Sequence, residues 1–251
     1  MPIQCVAHRG CSGAAPENTM AAIELALSDS NVTWIEVDVQ LSRDGIPFLI
    51  HDYTLNRTTN GRGPVKDYTW EQLLALDAGS WKSKRYAGER LISLDDCLEA
   101  IQGRLKANIE LKTHGNKYPG LEDKVIEVIK KHRMEHEVVL TSFDLRSLSK
   151  VKENARSLRT GLIIDQLPKD LFLRLQMLQC SFLSINYKRL TAELAAKAAR
   201  RGLDVMAWTV DQVKVMRRLA GLHPDLLICT NRPELWPSAF KAPNLVNGRN
   251  R

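Results

Sequence analysis

Eight short apolar runs punctuate the chain, at residues 3–7, 34–40, 107–111, 138–141, 160–164, 182–185, 205–208 and 226–229. Helical patterns such as 17–27, 121–131, 145–153, 192–200 and 213–219 lie between them. This alternation is the mark of helices wrapped around a parallel sheet, and eight strands of one kind favour closure. An open doubly wound sheet would show fewer strands and a glycine-rich nucleotide loop after the first. Here the first run leads into His8-Arg9-Gly10 instead. The length of 251 residues suits one parallel α/β barrel, which commonly takes about 250. We therefore expect a single TIM (β/α)8 barrel domain spanning 1–251. One segment interrupts the alternation: residues 52–90 are polar and turn-rich, with Asn60-Gly61, Gly63-Pro64, Trp70 and Trp81. It reads as a small insertion over the C-terminal mouth of the barrel, where long βα loops carry function.

Composition narrows the class of protein. A hydrophobic fraction of 44% and a charged fraction of 26% are ordinary globular values and exclude a disordered or fibrous chain. Cys5, Cys11, Cys97, Cys180 and Cys229 form an odd set without metal-site spacing, so buried, reduced thiols are expected. No basic-then-apolar leader and no run of roughly 18 apolar residues is present, which predicts a cytoplasmic enzyme without membrane insertion. The net charge of +7 admits nucleic acid, an anionic surface or a small anionic substrate as partner. Part of the excess is local: Lys241, Arg249 and Arg251 sit in a polar tail, and Lys130-Lys131-His132-Arg133 ends a predicted helix, where cations suit the dipole.

Strand periodicity then sorts the polar residues. In the run 34–40, alternation places Ile35, Val37 and Val39 on one face and Glu36, Asp38 and Gln40 on the other. In 107–111 it groups Asn108 and Glu110, with Lys112 following in the same phase. Strands of a parallel barrel are covered on both faces, so these acids must share a poorly solvated interior. Clustered there, carboxylates repel and have to bind protons or a cation. Three hard oxygen ligands with water suit Mg²⁺ or Ca²⁺ better than zinc. His8 ends the first run and His51 ends the run 47–50, so both are expected at the C-terminal end of the barrel, where such folds place their chemistry. Two imidazoles can divide acid and base duty. Arg9 and Lys112 can hold a phosphate, one by bidentate bonds and the other as a point charge.

These residues carry a family resemblance. His8-Arg9-Gly10, Pro16-Glu17-Asn18-Thr19, Ile35-Glu36-Val37-Asp38-Val39, Asp44-Gly45, His51-Asp52, Leu55 and Arg57-Thr58-Thr59 resemble the glycerophosphodiester phosphodiesterase family in order and spacing. So do Gly61-Arg62-Gly63, Asp67 with Thr69-Trp70, Leu76-Asp77-Ala78-Gly79, Ile109-Glu110-Leu111-Lys112, Ala207-Trp208-Thr209-Val210 and Thr230-Asn231-Arg232-Pro233. The resemblance covers about residues 7–233, whereas any one of these motifs alone is weak. It implies a TIM barrel with a small inserted region that hydrolyses small-molecule glycerophosphodiesters to glycerol 3-phosphate and an alcohol. It further implies that His8 and His51 are the acid/base pair and that Glu36, Asp38 and Glu110 ligate the metal. Arg9 and Lys112 then match phosphate-contacting positions, and Trp208 resembles a substrate-site aromatic. The chain departs from the pattern at Asn231, where aspartate is common.

In the mechanism so implied, a cation binds the phosphodiester and neutralises the charge that grows on its oxygens. One histidine takes a proton from the attacking hydroxyl and the other protonates the leaving alcohol. The position of His51 beside the inserted segment favours His51 as acid and His8 as base. The substrate's own neighbouring hydroxyl is an expected nucleophile, because well-oriented internal attack reaches effective molarities on the order of 10⁵ M or more. Two rivals make different demands. A phospholipase acting on intact lipid needs an apolar approach, and no exposed apolar loop is evident in the sequence. A nucleic-acid-binding barrel has no reason to line its groove with Glu36, Asp38 and Glu110.

Overall fold

The computed structural model describes residues 3–115 and 117–240; the tail cations Lys241, Arg249 and Arg251 lie outside the described residues. Its strands are β1 (Gln4–His8), β2 (Val32–Leu41), β3 (Pro47–Leu49), β4 (Lys106–Leu111), β5 (Val138–Ser142), β6 (Arg159–Ile164), β7 (Phe182–Asn186), β8 (Asp204–Trp208) and β9 (Leu227–Thr230). All but β3 are parallel, in the order β1-β9-β8-β7-β6-β5-β4-β2, and the β1–β2 pairing closes them into a TIM barrel. The eight runs read from the sequence are these eight parallel strands. Around them run α1 (Met20–Ser28), α2 (Trp70–Leu74), α3 (Leu94–Ile101), α4 (Leu121–Lys131), α5 (Leu145–Asn154), α6 (Leu171–Met177), α7 (Ala192–Ala199), α8 (Val213–Ala220) and α9 (Trp236–Phe240). No helix is long and apolar enough to cross a membrane, among the described residues.

The two faces of each strand do different work. Ile35, Val37 and Val39 of β2 point outward and join Ile23, Leu98 and Ile109 in the layer between barrel and helices. Inside, Val6, Trp34, Val139, Phe182, Met206, Leu227 and Cys229 fill the barrel below the polar residues of the mouth. Trp34 and Phe182 meet with ring centroids 6.3 Å apart. Phe182 needs Gly161 opposite it, since a Cβ there would lie 2.8 Å from the Phe182 Cβ. Truncating so buried an aromatic costs about 3–5 kcal/mol. All five cysteines are free and buried. The run Lys130-Lys131-His132-Arg133 caps the end of α4, where Lys131 and His132 both bond Asp95, at 2.6 and 2.9 Å.

Three local features bear on the site, the first of them a departure from the expected helix start. Helix α1 begins at Met20 rather than at residue 17, because Asn18 adopts a left-handed φ of 58° and the chain turns before it coils. Glu17 and Asn18 are thereby spared for other contacts. The run 47–50 is not a barrel strand: β3 runs antiparallel to β2, pairing Leu41 with Pro47 and Val39 with Leu49. His51 therefore reaches the site on a descending chain beside Asp38, not at the C-terminal end of a parallel strand, and the Ile50 amide donates to the Asp38 carbonyl at 3.0 Å. The segment 52–90, finally, has a small core of its own, in which Leu55, Val65, Leu73 and Ala78 pack on Phe48 and Ile50. It leans on the loop after β1, where Lys82 donates to the Ser12 carbonyl and Arg85 to that of Ala14, both at 2.7 Å.

Candidate active site

Strand register assembles the acids. Parallel pairing sets His8 of β1 opposite Glu36 of β2, and Asp38 of β2 opposite Glu110 of β4. Since Glu36, Asp38 and Glu110 share the inward face, one oxygen from each lies within 4.8 Å of the others. Glu36 is 3% exposed and Asp38 1%. Burial, reinforced by Asp38, pushes the carboxyls of Glu36 and Glu110 well above the ordinary carboxylate range. Burial acts on Asp38 in the same sense, but Arg9 and Lys112 outweigh it and hold that carboxyl low. Arg9 Nε lies 3.0 Å from Asp38 Oδ2, and Lys112 Nζ lies 2.8 Å from Glu110 Oε1 and 3.7 Å from Asp38 Oδ1. Asp38 Oδ1 is buried without a hydrogen-bond partner. Two acids that favour protons and a third with an orphaned oxygen make a set that fits a hard divalent cation. A second grouping, His8, Glu36 and Cys229, also has its ligand atoms within 4.8 Å. Cys229 offers a soft sulfur, which matches a hard cation less well than the oxygen trio does.

The backbone around β1 is shaped for this cluster. Arg9 adopts a left-handed φ of 56°, and its amide donates to Glu36 through both the backbone oxygen, at 2.7 Å, and Oε2, at 3.1 Å. Gly10 follows at φ 76°, where a Cβ would sit 2.7 Å from Ala22. Asn18 then grips Asp38 at two points: its Nδ2 donates to Oδ2 at 2.9 Å and its Oδ1 accepts from the Asp38 amide at 3.2 Å.

The two histidines have unlike partners. His8 Nδ1 lies 2.6 Å from Asn231 Oδ1. The orientation of that amide is set by Asp211, whose Oδ2 accepts from Asn231 Nδ2 at 2.7 Å. The amide oxygen must then receive a proton from His8 Nδ1, which leaves Nε2 with its lone pair, 3.7 Å from Glu36 Oε2. Burial, then Arg9, brings the His8 imidazole down to about 4. His51 Nδ1 instead meets a carboxylate, Asp52 Oδ1, at 2.7 Å. Bonding to Arg57 brings Asp52 down to about 2. Arg57 also bridges to Glu17 at 2.8 Å, and Glu17 accepts from Arg9 at 2.7 Å. A continuous ionic chain thus joins the two histidine-bearing segments. The turn at His51 is fixed from beneath by buried Gln40, whose Nε2 donates to the carbonyls of Ile50, His51 and Asp52 at 3.0, 3.0 and 2.8 Å.

One pocket is lined by His8, Arg9, His51, Lys112, Phe143 and Trp208, with Glu36 and Glu110 in its wall. Trp208 ends β8 and meets Phe143 edge to face, centroids 6.2 Å apart, and its Nε1–H is buried without a partner. The sequence reading singled out all eight of His8, Arg9, Glu36, Asp38, His51, Glu110, Lys112 and Trp208, and the fold brings them together. It assigned nothing to Glu17, Asn18, Gln40, Asp52, Arg57 or Asp211, which position the others. Gln40 carried a signal in its phase with Glu36 and Asp38, and Glu17, Asn18, Asp52 and Arg57 lie within the matched motifs. The sequence also showed no exposed apolar loop, whereas Phe143 is 48% and Leu167 50% exposed on loops at the mouth. Phe143 follows β5 directly and Leu167 stands three residues beyond the end of β6, so nothing in their spacing distinguishes them from core.

Comparison with known proteins agrees with this geometry. A profile of the glycerophosphoryl diester phosphodiesterase family matches residues 8–235. A glycerophosphodiester phosphodiesterase of Caldanaerobacter subterraneus subsp. tengcongensis is 39% identical over 231 residues, which is 91% of this chain and 94% of that protein. Among solved structures, a phosphodiesterase from Oleispira antarctica, in complex with the product sn-glycerol-3-phosphate, has a TM-score of 0.88 at 32% identity, covering 96% of this chain and 98% of its own. A glycerophosphodiester phosphodiesterase from Agrobacterium tumefaciens has a TM-score of 0.81 at 32% identity, with coverage of 94% and 99%. The chain belongs to the glycerophosphoryl diester phosphodiesterase family, whose members hydrolyse phosphodiester bonds.

Proposed function

We propose that residues 8–235 act as one catalytic domain that cleaves glycerophosphodiesters to glycerol 3-phosphate and an alcohol, using a divalent cation, Mg²⁺ or Ca²⁺, and the pair His8 and His51. The observation that carries this reading is the trio of buried Glu36 and Asp38 with partly buried Glu110, whose oxygens lie within 4.8 Å of one another and of which Glu36 and Glu110 line one pocket with both imidazoles. The trio would hold the cation, which when bound neutralises charge on a phosphodiester's non-bridging oxygens. Five buried thiols suit a reducing, cytoplasmic setting.

The protein's own groups supply the rest. Arg9 and Lys112 keep two positive charges at the phosphate position, and the unpartnered Trp208 N–H is a donor waiting for a substrate oxygen. His8, with its proton on Nδ1, offers Nε2 to accept the proton of the attacking hydroxyl. His51, oriented through Nδ1 by the Asp52 carboxylate, gives its proton to the leaving alcohol as the phosphorus–oxygen bond breaks. The attacking group is the hydroxyl adjacent to the ester-bearing carbon, and water then opens the resulting cyclic phosphate. Glycerol 3-phosphate, the product held by the Oleispira relative, is the end point.

Product analysis on a panel of glycerophosphodiesters, with and without exhaustive chelation, tests the reading. Glycerol 3-phosphate should form only with Mg²⁺ or Ca²⁺ present, and a quenched time course should show a cyclic phosphate. Undiminished turnover after metal removal sinks the cation assignment, and an unslowed analogue without the neighbouring hydroxyl sinks the internal route. A lysophospholipid arm addresses Phe143 and Leu167: faster cleavage of it than of the diesters would make the exposed pair an acyl-chain approach.

A further inference from the structure

A phosphodiester has two arms, and the structure offers two unlike places for them. The pocket around His8 and Trp208 is walled by Glu110, Lys112 and Phe143. The same three residues also line a second groove, completed by Tyr53, Leu111, Thr113, His114 and Lys117. Tyr53 stands two residues beyond His51, the proposed proton donor to the leaving oxygen. The pocket that holds both histidines suits the glycerol arm common to all these substrates, and the adjoining groove outside it suits the arm that varies.

The groove's charge is distinctive. A quaternary ammonium is recognised by free aromatic faces, and Tyr53 has a face of the right kind. That ring is already engaged: it stacks on Tyr118, centroids 6.4 Å apart and planes 29° from parallel, and Lys117 Nζ lies 3.6 Å from its centroid. Tyr118 is itself anchored, since its hydroxyl donates to buried Gln40. Lys117 makes no ion pair among the described residues, so its charge is not cancelled. The nearby Asp144 accepts from the amides of Gly115, at 2.7 Å, and Arg146, at 2.8 Å, which occupies it with the N-terminus of α5. Glu110, in the wall, is bound by Lys112. The aromatic seat for a cation is thus filled by a resident one, which presents N–H donors and positive charge to whatever enters.

We propose that this groove is the leaving-group subsite, and that Lys117 seated on Tyr53 selects polyhydroxylated or anionic alcohols over those bearing a quaternary ammonium. The inference rests on the functional reading above. Its test is kcat/KM for glycerophosphoglycerol, glycerophosphoinositol and glycerophosphoserine against glycerophosphocholine, in the wild-type chain and in Lys117→Ala. Wild type should favour the first two over the choline diester by on the order of 10-fold, the scale of one cation–π contact. Lys117→Ala should compress that ratio to within about threefold by raising the choline rate, and Tyr53→Leu added to it should remove the gain, because the vacated face is gone. Lys117 is exposed, so its loss does not threaten the fold. A wild-type preference for choline, or a ratio that Lys117→Ala changes by less than about twofold from wild type, overturns the proposal while the functional reading stands. Failure to cleave any diester, with metal supplied, overturns both.

Discussion

The two halves of the site are built on different principles. His8, Glu36, Asp38 and Glu110 stand on barrel strands, and their relative positions follow from parallel register alone. His51 stands on a turn below an antiparallel strand outside the barrel, and its position depends on Gln40 beneath and on the chain Asp52, Arg57, Glu17, Arg9 beside it. The first half is held by the ladder that also holds the fold, so it cannot move without unfolding. The second is held by side-chain hydrogen bonds at the edge of a loop, and can be disturbed while the barrel stays intact. The orienting partners differ in the same way: His8 Nδ1 meets the neutral amide of Asn231, and His51 Nδ1 meets the carboxylate of Asp52.

The widest separation between the halves should come from replacing each histidine and changing the leaving group. On a natural diester, His8→Ala and His51→Ala should each lower kcat by on the order of 10²-fold or more. With a p-nitrophenyl leaving group, whose departure needs little proton help, the His51→Ala loss should shrink to less than about 10-fold while the His8→Ala loss persists. Equal losses on both substrates would erase the assignment of base and acid. Shrinkage for His8 instead would reverse it.

A smaller effect isolates the support of His51. Gln40→Met keeps the length of the side chain but removes the donor to three carbonyls. Leaving buried acceptors unpaired costs about 1–3 kcal/mol, and the turn should sag. We expect kcat to fall by about 10- to 100-fold with KM little changed, since misplacement of a catalytic group by an ångström costs on that order. Circular dichroism should show the barrel retained. A variant with wild-type kcat would mean that the ionic chain through Asp52 suffices.

The contrast between the halves also governs what was legible in the sequence. The barrel was readable because its strands repeat a period, and alternation fixed that Glu36, Asp38 and Gln40 share a face without any knowledge of neighbours. The pairing of Asp38 with Glu110 needed only two such strands side by side. His51 was recognised by its motif and expected at the C-terminal end of the barrel, but its antiparallel approach was not legible, because a three-residue apolar run does not show which way it pairs. The relays were invisible for a different reason. Whether Arg57 meets Asp52 and Glu17, or whether Lys117 lies on Tyr53, depends on how a turn-rich segment folds back, and turn residues carry no long-range period. Asn231 was visible as a departure from the family pattern; its use became clear only with Asp211 fixing which way the amide points.

The smallest effect concerns the inserted segment itself and asks how far it can loosen before the site feels it. Asp77 gathers that segment: its carboxylate accepts from the amides of Gly79, Ser80 and Gly88 at 2.9, 2.7 and 2.7 Å and from the Ser80 hydroxyl at 2.8 Å. The fold is tight there, for a Cβ on Gly79 would lie 1.9 Å from the Tyr86 carbonyl oxygen. These donors, the Ser80 and Gly88 amides foremost, hold the Asp77 carboxyl well below the ordinary range. The sign of the linkage follows. A carboxyl whose native value is depressed adds stability that is complete above its unfolded value, about 3.9, and is lost as pH falls toward the native one. Hydrogen exchange at Gly79, Ser80 and Gly88 should therefore accelerate below about pH 4 while amides of β1 and β2 stay protected. Asp77→Asn, which keeps one acceptor oxygen and loses the charge, should show the faster exchange at neutral pH, with kcat changed by less than about threefold because Arg57 and Gln40 still hold the His51 turn. Exchange rising equally in the barrel strands would show that the segment and the barrel open as one unit, and the separation of the two halves would be lost.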